Sequence, residues 1–532
     1  MNPRHHERFR GFRARVGLSR WDITPPAGAY ARNWGAAKHW FATGVHRRLT
    51  GTALAIAPLS RGDAVGGRVE ATPRRLEVAA TPTSPDGRGK PNSECDKCDG
   101  GVASTFGDVA SPLPGHASTA PFPLNGAGSP LLLISLELGW WRSRQDADAV
   151  RQRVLAELAL PEANLIIHLS HTHAGPALDS DAPPEANPEA ARDYLAWLAE
   201  ACVQGGRKAL AKLQPATALF NHGHCALATQ RDLIDPANPD RFLTGFNPEA
   251  AADDTLLVAR LFGEDGRTLG TLMNYACHPT TLAWDNSLLS PDYPGAMREL
   301  VESQTGGVPC LFLQGASGEL APAEQYSGDV NLADRHGREL GHAALSALAP
   351  LESGCSLMKF DSTVESGAPL AVWRAGEGVL SDVLRASAPR LPLTLKRDLP
   401  SVAEIDAALA RQPTGFQYER LLRQRRVRGS VGDGDVSTEQ LWLWRLGDAA
   451  LCAVPFEAYS VLQTQLRAAF PETPLLVLNI GNGHLGYLPP RDCYGHNLYT
   501  VWQTPFASGS LEGLLEAAQG GLSWLFSEIS PV

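Results

Sequence analysis

No run of about 18 apolar residues occurs in this chain, so no transmembrane helix is expected. No basic stripe occurs either, and a formal charge of −10 over 532 residues argues against a nucleic-acid partner. The first 20 residues carry Arg4, Arg8, Arg10, Arg13 and Arg15 but no apolar stretch, so they do not read as a secretory signal. The cysteines number nine, an odd count, and most stand in apolar contexts (Cys202, Cys277, Cys310, Cys452). That usage suits reduced, buried thiols in a cytoplasm better than a disulfide framework. Cys95-Asp96-Lys97-Cys98 has no second cysteine pair nearby, which argues against a zinc knuckle, although a lone pair of this kind can bind metal or cycle redox states. There is no internal repeat. The remaining composition, 43% hydrophobic and 20% charged, is that of a globular protein long enough for one large core or two domains.

Apolar periodicity divides the chain into alternating strands and helices. Residues 1–18 read as a polar N-terminal segment and 19–532 as a single domain. Residues 60–128 interrupt it with a Gly-, Pro-, Ser- and Thr-rich stretch, expected as an insertion between two strands of one sheet. Strands are predicted over 131–136, 165–169, 216–220, 256–262, 268–277, 310–313 and 475–480, with a hairpin over 442–454 that turns at Gly447-Asp448. Helices are predicted over 143–158, 187–213, 297–303, 332–348, 402–428, 459–470 and 511–526, while 353–400 carries no clear pattern. Alternation of this kind predicts an α/β domain with a mixed sheet.

Several predicted strands end on residues that bind metals. The apolar run 165–169 leads into His171-Thr172-His173; on a strand end, residues two apart share a face, so both imidazoles are expected to point one way. Two imidazoles at a strand mouth are the start of a transition-metal site, or else two satisfied loop histidines. Met273–Cys277 leads into His278-Pro279-Thr280, and this histidine is either structural or a third ligand. Ala450–Val454 leads through Pro455-Phe456 to Glu457, read as opening a helix, where it favours the helix N-terminus or serves as a ligand. The Gly-rich turn after 475–480 holds His484 and Tyr487; a phenol beside a cation becomes a ligand because the charge lowers its pKa. Ser317, in Gly315-Ala316-Ser317-Gly318-Glu319, departs from the nucleophile elbow, so a serine hydrolase reading is weak.

With these residues in order, the chain resembles the neutral, non-lysosomal ceramidase family over about 18–525. Asp22-Ile23-Thr24, Gly44-Val45-His46, Glu137-Leu138-Gly139, His171-Thr172-His173-Ala174-Gly175-Pro176, His278-Pro279-Thr280, Ser290-Pro291-Asp292, Gly318–Pro322, Pro455-Phe456-Glu457 and Gly486-Tyr487 match its motifs in sequence order. The resemblance implies a metallohydrolase domain with one catalytic Zn2+ held by His171, His278, Glu457 and Tyr487. It implies that His173 stabilises charge on the scissile carbonyl, and that Arg231, in Thr229-Gln230-Arg231-Asp232, is the arginine at that carbonyl. It further implies a small-molecule N-acyl or lipid-like (sphingolipid) substrate whose amide is cleaved by zinc-activated water. Two other readings share the site: a zinc esterase or lactonase, and a non-catalytic ceramidase-like binding protein. The family's active-site serine falls on Ala321, which removes any step needing that hydroxyl but leaves a zinc-water mechanism intact. The match is to the N-terminal catalytic domain; the C-terminal immunoglobulin-like domain of many ceramidases has no counterpart in the sequence.

Overall fold

The computed structural model describes residues 5–7, 9–26, 28–60, 63, 128–376, 378–411 and 416–527. The expected insertion over 60–128, with Cys95 and Cys98, lies outside these residues except at 60, 63 and 128. Among the described residues no helix is long and apolar enough to cross a membrane.

A mixed eight-stranded sheet carries the fold. In chain order its strands are β1 (Gly11–Asp22), β2 (Thr50–Ala57), β3 (Leu131–Leu136), β4 (Leu165–Leu169), β5 (Gln214–His224), β6 (Thr255–Gly263), β7 (Thr268–Tyr275) and β8 (Cys310–Gln314). They lie in the order β8-β7-β6-β5-β1-β2-β3-β4, with β8–β7 and β3–β4 parallel and the other neighbours antiparallel. The strands on either side of the interrupted stretch, β2 and β3, are direct neighbours.

Both faces of β2, β3, β4, β6 and β8 are buried, so these strands read as nearly continuous apolar runs. In β3, Leu131 and Leu133 enter one core while Leu132, Ile134 and Leu136 enter another. The first core also holds Trp442, Trp444, Leu446, Leu451, Ala453, Leu476 and Leu478 of a second sheet. That sheet runs β9 (Leu384–Ser387), β10 (Trp442–Leu446), β11 (Ala449–Ala453) and β12 (Leu475–Leu478), in that order, with the predicted hairpin at its centre. Helices α1 (Arg144–Leu158), α2 (Pro188–Ala211), α3 (Tyr293–Gln304) and α4 (Val330–Leu348) cover the outer face of the large sheet. Helices α5 (Val461–Ala469) and α6 (Ser510–Phe526) cover the outer face of the small one. The α/β expectation with a mixed sheet is what this four-layer stack shows.

Four local readings are corrected. The polar segment expected over 1–18 ends by Gly11, where β1 begins at the centre of the large sheet. Phe12, Ala14, Val16 and Leu18 are buried on alternate positions, and the intervening Arg13 and Arg15 hid that two-residue period. Gly17 is required there, because a Cβ would meet the Ala209 carbonyl oxygen of α2 at 2.1 Å. The helix predicted over 402–428 is two helices, Val402–Leu409 and Phe416–Val431, with Pro413 and Gly415 between them in the sequence. Glu457 does not open a helix. It lies in the strand Glu457–Ala458, and α5 starts four residues later. The unpatterned 353–400 contains four strands, Leu357–Glu365, Pro369–Gly376, Leu384–Ser387 and Arg390–Thr394; exposure of the first two explains the missing pattern.

Candidate metal centre

Counted strand by strand, β4 and β7 run in opposite senses, so His171 after β4 and His278 after β7 leave opposite ends of a flat sheet. The sheet is not flat. Neighbouring strands rotate by roughly 20° or more, and the rotation accumulates. Twisted in this way, the sheet also curls so that β8 lies against β3 and β4: the Ser135 hydroxyl donates to the Phe312 carbonyl at 2.8 Å, and the Gln314 N–H donates to His168 Nε2 at 2.9 Å. The mouths of β4, β7 and β8 converge at this junction.

His171 does not share a strand face with His173. The strand ends at Leu169, and His171 adopts φ +71°, in the left-handed region. That turn, not strand alternation, aims both rings inward, with centroids 4.8 Å apart. The His278 ring lies 4.8 Å from that of His171. His171, His173 and His278 bring their ligand atoms within 4.8 Å of one another and could hold a metal ion.

Glu457 and Tyr487 reach the same place through a two-stranded parallel ladder in which they are register partners. The Gly-rich turn before Tyr487 is pinned by Asn482, whose side chain accepts from the Ile167 N–H at 2.7 Å and donates to the Leu165 carbonyl at 2.9 Å. Glu457 Oε2 stands 3.2 Å from His171 Nε2 and 2.9 Å from His278 Nε2. Its other oxygen, Oε1, stands 2.8 Å from His484 Nε2.

The hydrogen positions follow from the partners. His278 Nδ1 faces the carbonyls of Ser317 (2.6 Å) and Leu320 (3.1 Å), and His171 Nδ1 faces that of Gly139 (3.3 Å). Carbonyls only accept, so the Nδ1 atoms carry hydrogens. Burial and the nearby Arg231 push the His278 pKa down to about 3, so its ring is neutral. Burial opposes charge on Glu457, but attraction to His171 and hydrogen bonding with His171, His278 and His484 hold its pKa well below the usual range. Two imidazole nitrogens therefore face one carboxylate oxygen, an arrangement that a shared cation satisfies. Backbone carbonyls fixing Nδ1 are the usual outer support of metal-ligating histidines. The donor set fits a metal ion.

Arg231 is buried, donates through Nη2 to the Gly318 carbonyl at 2.6 Å and the Tyr487 hydroxyl at 3.0 Å, and is held charged despite burial by Tyr487, Tyr326, Asp232 and Glu457. The four residues implied as ligands are thus brought together, with Arg231 behind Tyr487. His173 lies between Trp34 and Trp140 at ring distances of 5.0 and 4.7 Å, and neither of its ring nitrogens has a hydrogen-bond partner among the described residues. Sequence reasoning left His484 without a role and passed over Trp34 and Trp140. His484 offered one signal, its place in the same Gly-rich turn as Tyr487. Ser317 acts through its carbonyl on His278, while its hydroxyl accepts from Gln314 Nε2 at 2.6 Å. Ala321 is fully buried in a strand paired with Ala228–Gln230. Glu137 accepts from the Thr50 N–H and from Arg298 Nε, each at 2.7 Å, and is scaffold.

Fold and site together define an α/β protein with a buried histidine cluster suited to a metal. No protein-family model matches the chain, and no curated protein sequence matches it. Solved structures do. A structure described as a ceramidase complexed with C2 superposes with a TM-score of 0.59 at 15% identity, covering 98% of this chain and 77% of that one. The neutral ceramidase from Pseudomonas aeruginosa superposes with a TM-score of 0.58 at 16% identity, covering 98% and 76%. The chain has the fold of these neutral ceramidase structures, as the motif resemblance implied.

Proposed function

We propose that this protein is a zinc-dependent hydrolase that cleaves the amide bond of an N-acyl, ceramide-like substrate. The observation that carries the reading is the convergence of His171 Nε2 and His278 Nε2 on the single oxygen Oε2 of Glu457. His171, His278, Glu457 and Tyr487 would hold the ion. Bound zinc supplies a Lewis acid and lowers the pKa of its water from 15.7 to about 7. Arg231 holds the Tyr487 oxygen in place and favours its phenolate, against the burial that otherwise raises the Tyr487 pKa. His173, with both nitrogens unpartnered, donates a hydrogen bond to the carbonyl oxygen as charge develops there. A donor positioned in this way contributes on the order of 3 kcal/mol. The Trp34 and Trp140 rings flank His173 and keep water from its nitrogens, which strengthens that hydrogen bond.

Metal analysis of the purified protein, paired with hydrolysis of N-acylsphingosine and of a simple ester, tests the reading. One zinc per chain with amide cleavage abolished by a chelator is the expected result. Turnover of the ester alone makes the protein an esterase or lactonase. Metal without turnover makes it a binding protein, and absence of bound metal after zinc loading overturns the reading.

A further inference from the structure

We propose that the cleft beside this centre takes the anionic headgroup of the substrate, a carboxylate or a phosphate close to the scissile amide, on the guanidinium groups of Arg142 and Arg423. The inference rests on the hydrolase reading for the amide, but its evidence is separate. The chain carries a net charge of −10, yet a cavity of about 730 Å³ is lined by six arginines against four carboxylates. Four of the arginines are already paired: Arg426 with Asp179, Arg32 with Glu419, Arg144 with Glu439 and Arg425 with Asp406. Among the described residues, Arg142 and Arg423 form no ion pair.

Both also lie close to residues of the candidate centre. The Arg142 guanidinium lies 4.2 Å from the centroid of the Trp140 ring, and that ring lies 4.7 Å from the ring of His173. Arg423 donates to the Tyr499 hydroxyl at 2.5 Å, and the Tyr499 ring lies 5.6 Å from that of Tyr487. Both border a small second cavity with Trp140 and His484, and Arg142, Arg423 and Arg426 line both cavities. One aromatic ring therefore separates each cation from a residue of the candidate centre.

Arg142 is only 7% exposed and donates to a neutral acceptor, Asn33 Oδ1, at 2.6 Å. Burial and the neighbouring charges of Arg426 and Arg423 push its pKa down to about 9, although Asp179 lies close enough to oppose them. A buried cation without an anion is unfavourable, and the fork of a guanidinium matches carboxylate and phosphate oxygens. A neutral amino-alcohol headgroup leaves both charges uncompensated. The chemistry fits an N-acyl amino acid or an N-acyl amine bearing a phosphate.

The test uses the full chain and measures calorimetric affinity and kcat/KM for three ligands of equal acyl length: an N-acylglycine, its uncharged glycinamide, and an N-acyl phosphoethanolamine. At least one anion is expected to bind roughly tenfold or more tightly than the glycinamide, the size of effect a charge-assisted hydrogen bond gives. The better of the two anions names the headgroup. Arg423→Gln is expected to collapse the ratio and Arg423→Lys to restore part of it; Arg423 is partly exposed, so this variant avoids the folding risk of Arg142→Gln. Equal affinity for the acids and the amide overturns the inference, even if amides are hydrolysed. Tight anion binding without hydrolysis of any amide supports it while refuting the hydrolase reading.

Discussion

Glu457 and Tyr487 are register partners in a parallel ladder, and the Glu457 N–H donates to the Gly486 carbonyl at 3.0 Å. Main-chain pairing therefore sets the separation of two residues proposed to share one ion. Replacing the carboxylate by an amide keeps the shape and removes the charge. Glu457→Gln is expected to reduce metal affinity by more than the about 10–100-fold that loss of an outer-shell partner costs. Competition with a chromogenic chelator measures it, and unchanged affinity refutes the ligand role.

Tyr487→Phe removes the acceptor for Arg231 Nη2 and leaves that buried cation with the Gly318 carbonyl. An unsatisfied buried donor costs about 1–3 kcal/mol. Denaturant unfolding of the metal-free variant should show a loss of this size, and metal affinity should fall with it.

His173 separates two site arrangements, because its ring nitrogens lie within the histidine cluster but have no hydrogen-bond partner among the described residues. As the carbonyl donor, His173→Gln is expected to lower kcat by about 10²–10³-fold while zinc content stays at the wild-type level. Loss of zinc in this variant would make His173 a ligand instead.

Glu319 gives a pH signature away from the histidines. Burial raises its pKa from 4.5 to about 7, although Ser460 donates to both of its oxygens. Below pH 4.5 the carboxyl is protonated in folded and unfolded chains and has no effect. Between 4.5 and 7 the folded chain binds more protons than the unfolded one, so stability falls as pH rises. Above 7 the full penalty, about 3 kcal/mol, is present. Denaturation from pH 4 to 8 should show that slope in the wild type and a flatter one in Glu319→Gln.

Trp444 links the two sheets. It is fully buried, and its indole N–H donates to the Ala163 carbonyl at 2.7 Å, ahead of β4. Trp444→Ala should cost about 3–5 kcal/mol, read as a lower unfolding midpoint. A loss below 1 kcal/mol would mean that the inter-sheet core does not depend on it.

The continuous apolar runs of β3 and β4 were legible because both sheet faces are buried, and the helix starting at Ser143 was legible because its hydroxyl accepts from the Asp146 N–H. The strand-end positions of His171 and His278 were legible for the same reason: the apolar run stops where the polar group begins. β1 was not legible, since its outward arginines break the run. The left-handed turn at His171 was not legible either, because nothing in His-Thr-His demands a positive φ.

Local sequence alone determined which segments become buried strands and which polar side chains stand at their mouths, since burial periodicity and turn chemistry act over a few residues. Only the tertiary structure decided that those mouths meet. Sheet twist accumulates over eight strands, and pairing of 457–458 with 487–488 is a long-range hydrogen-bonding choice. Neither is written in any window of neighbouring residues.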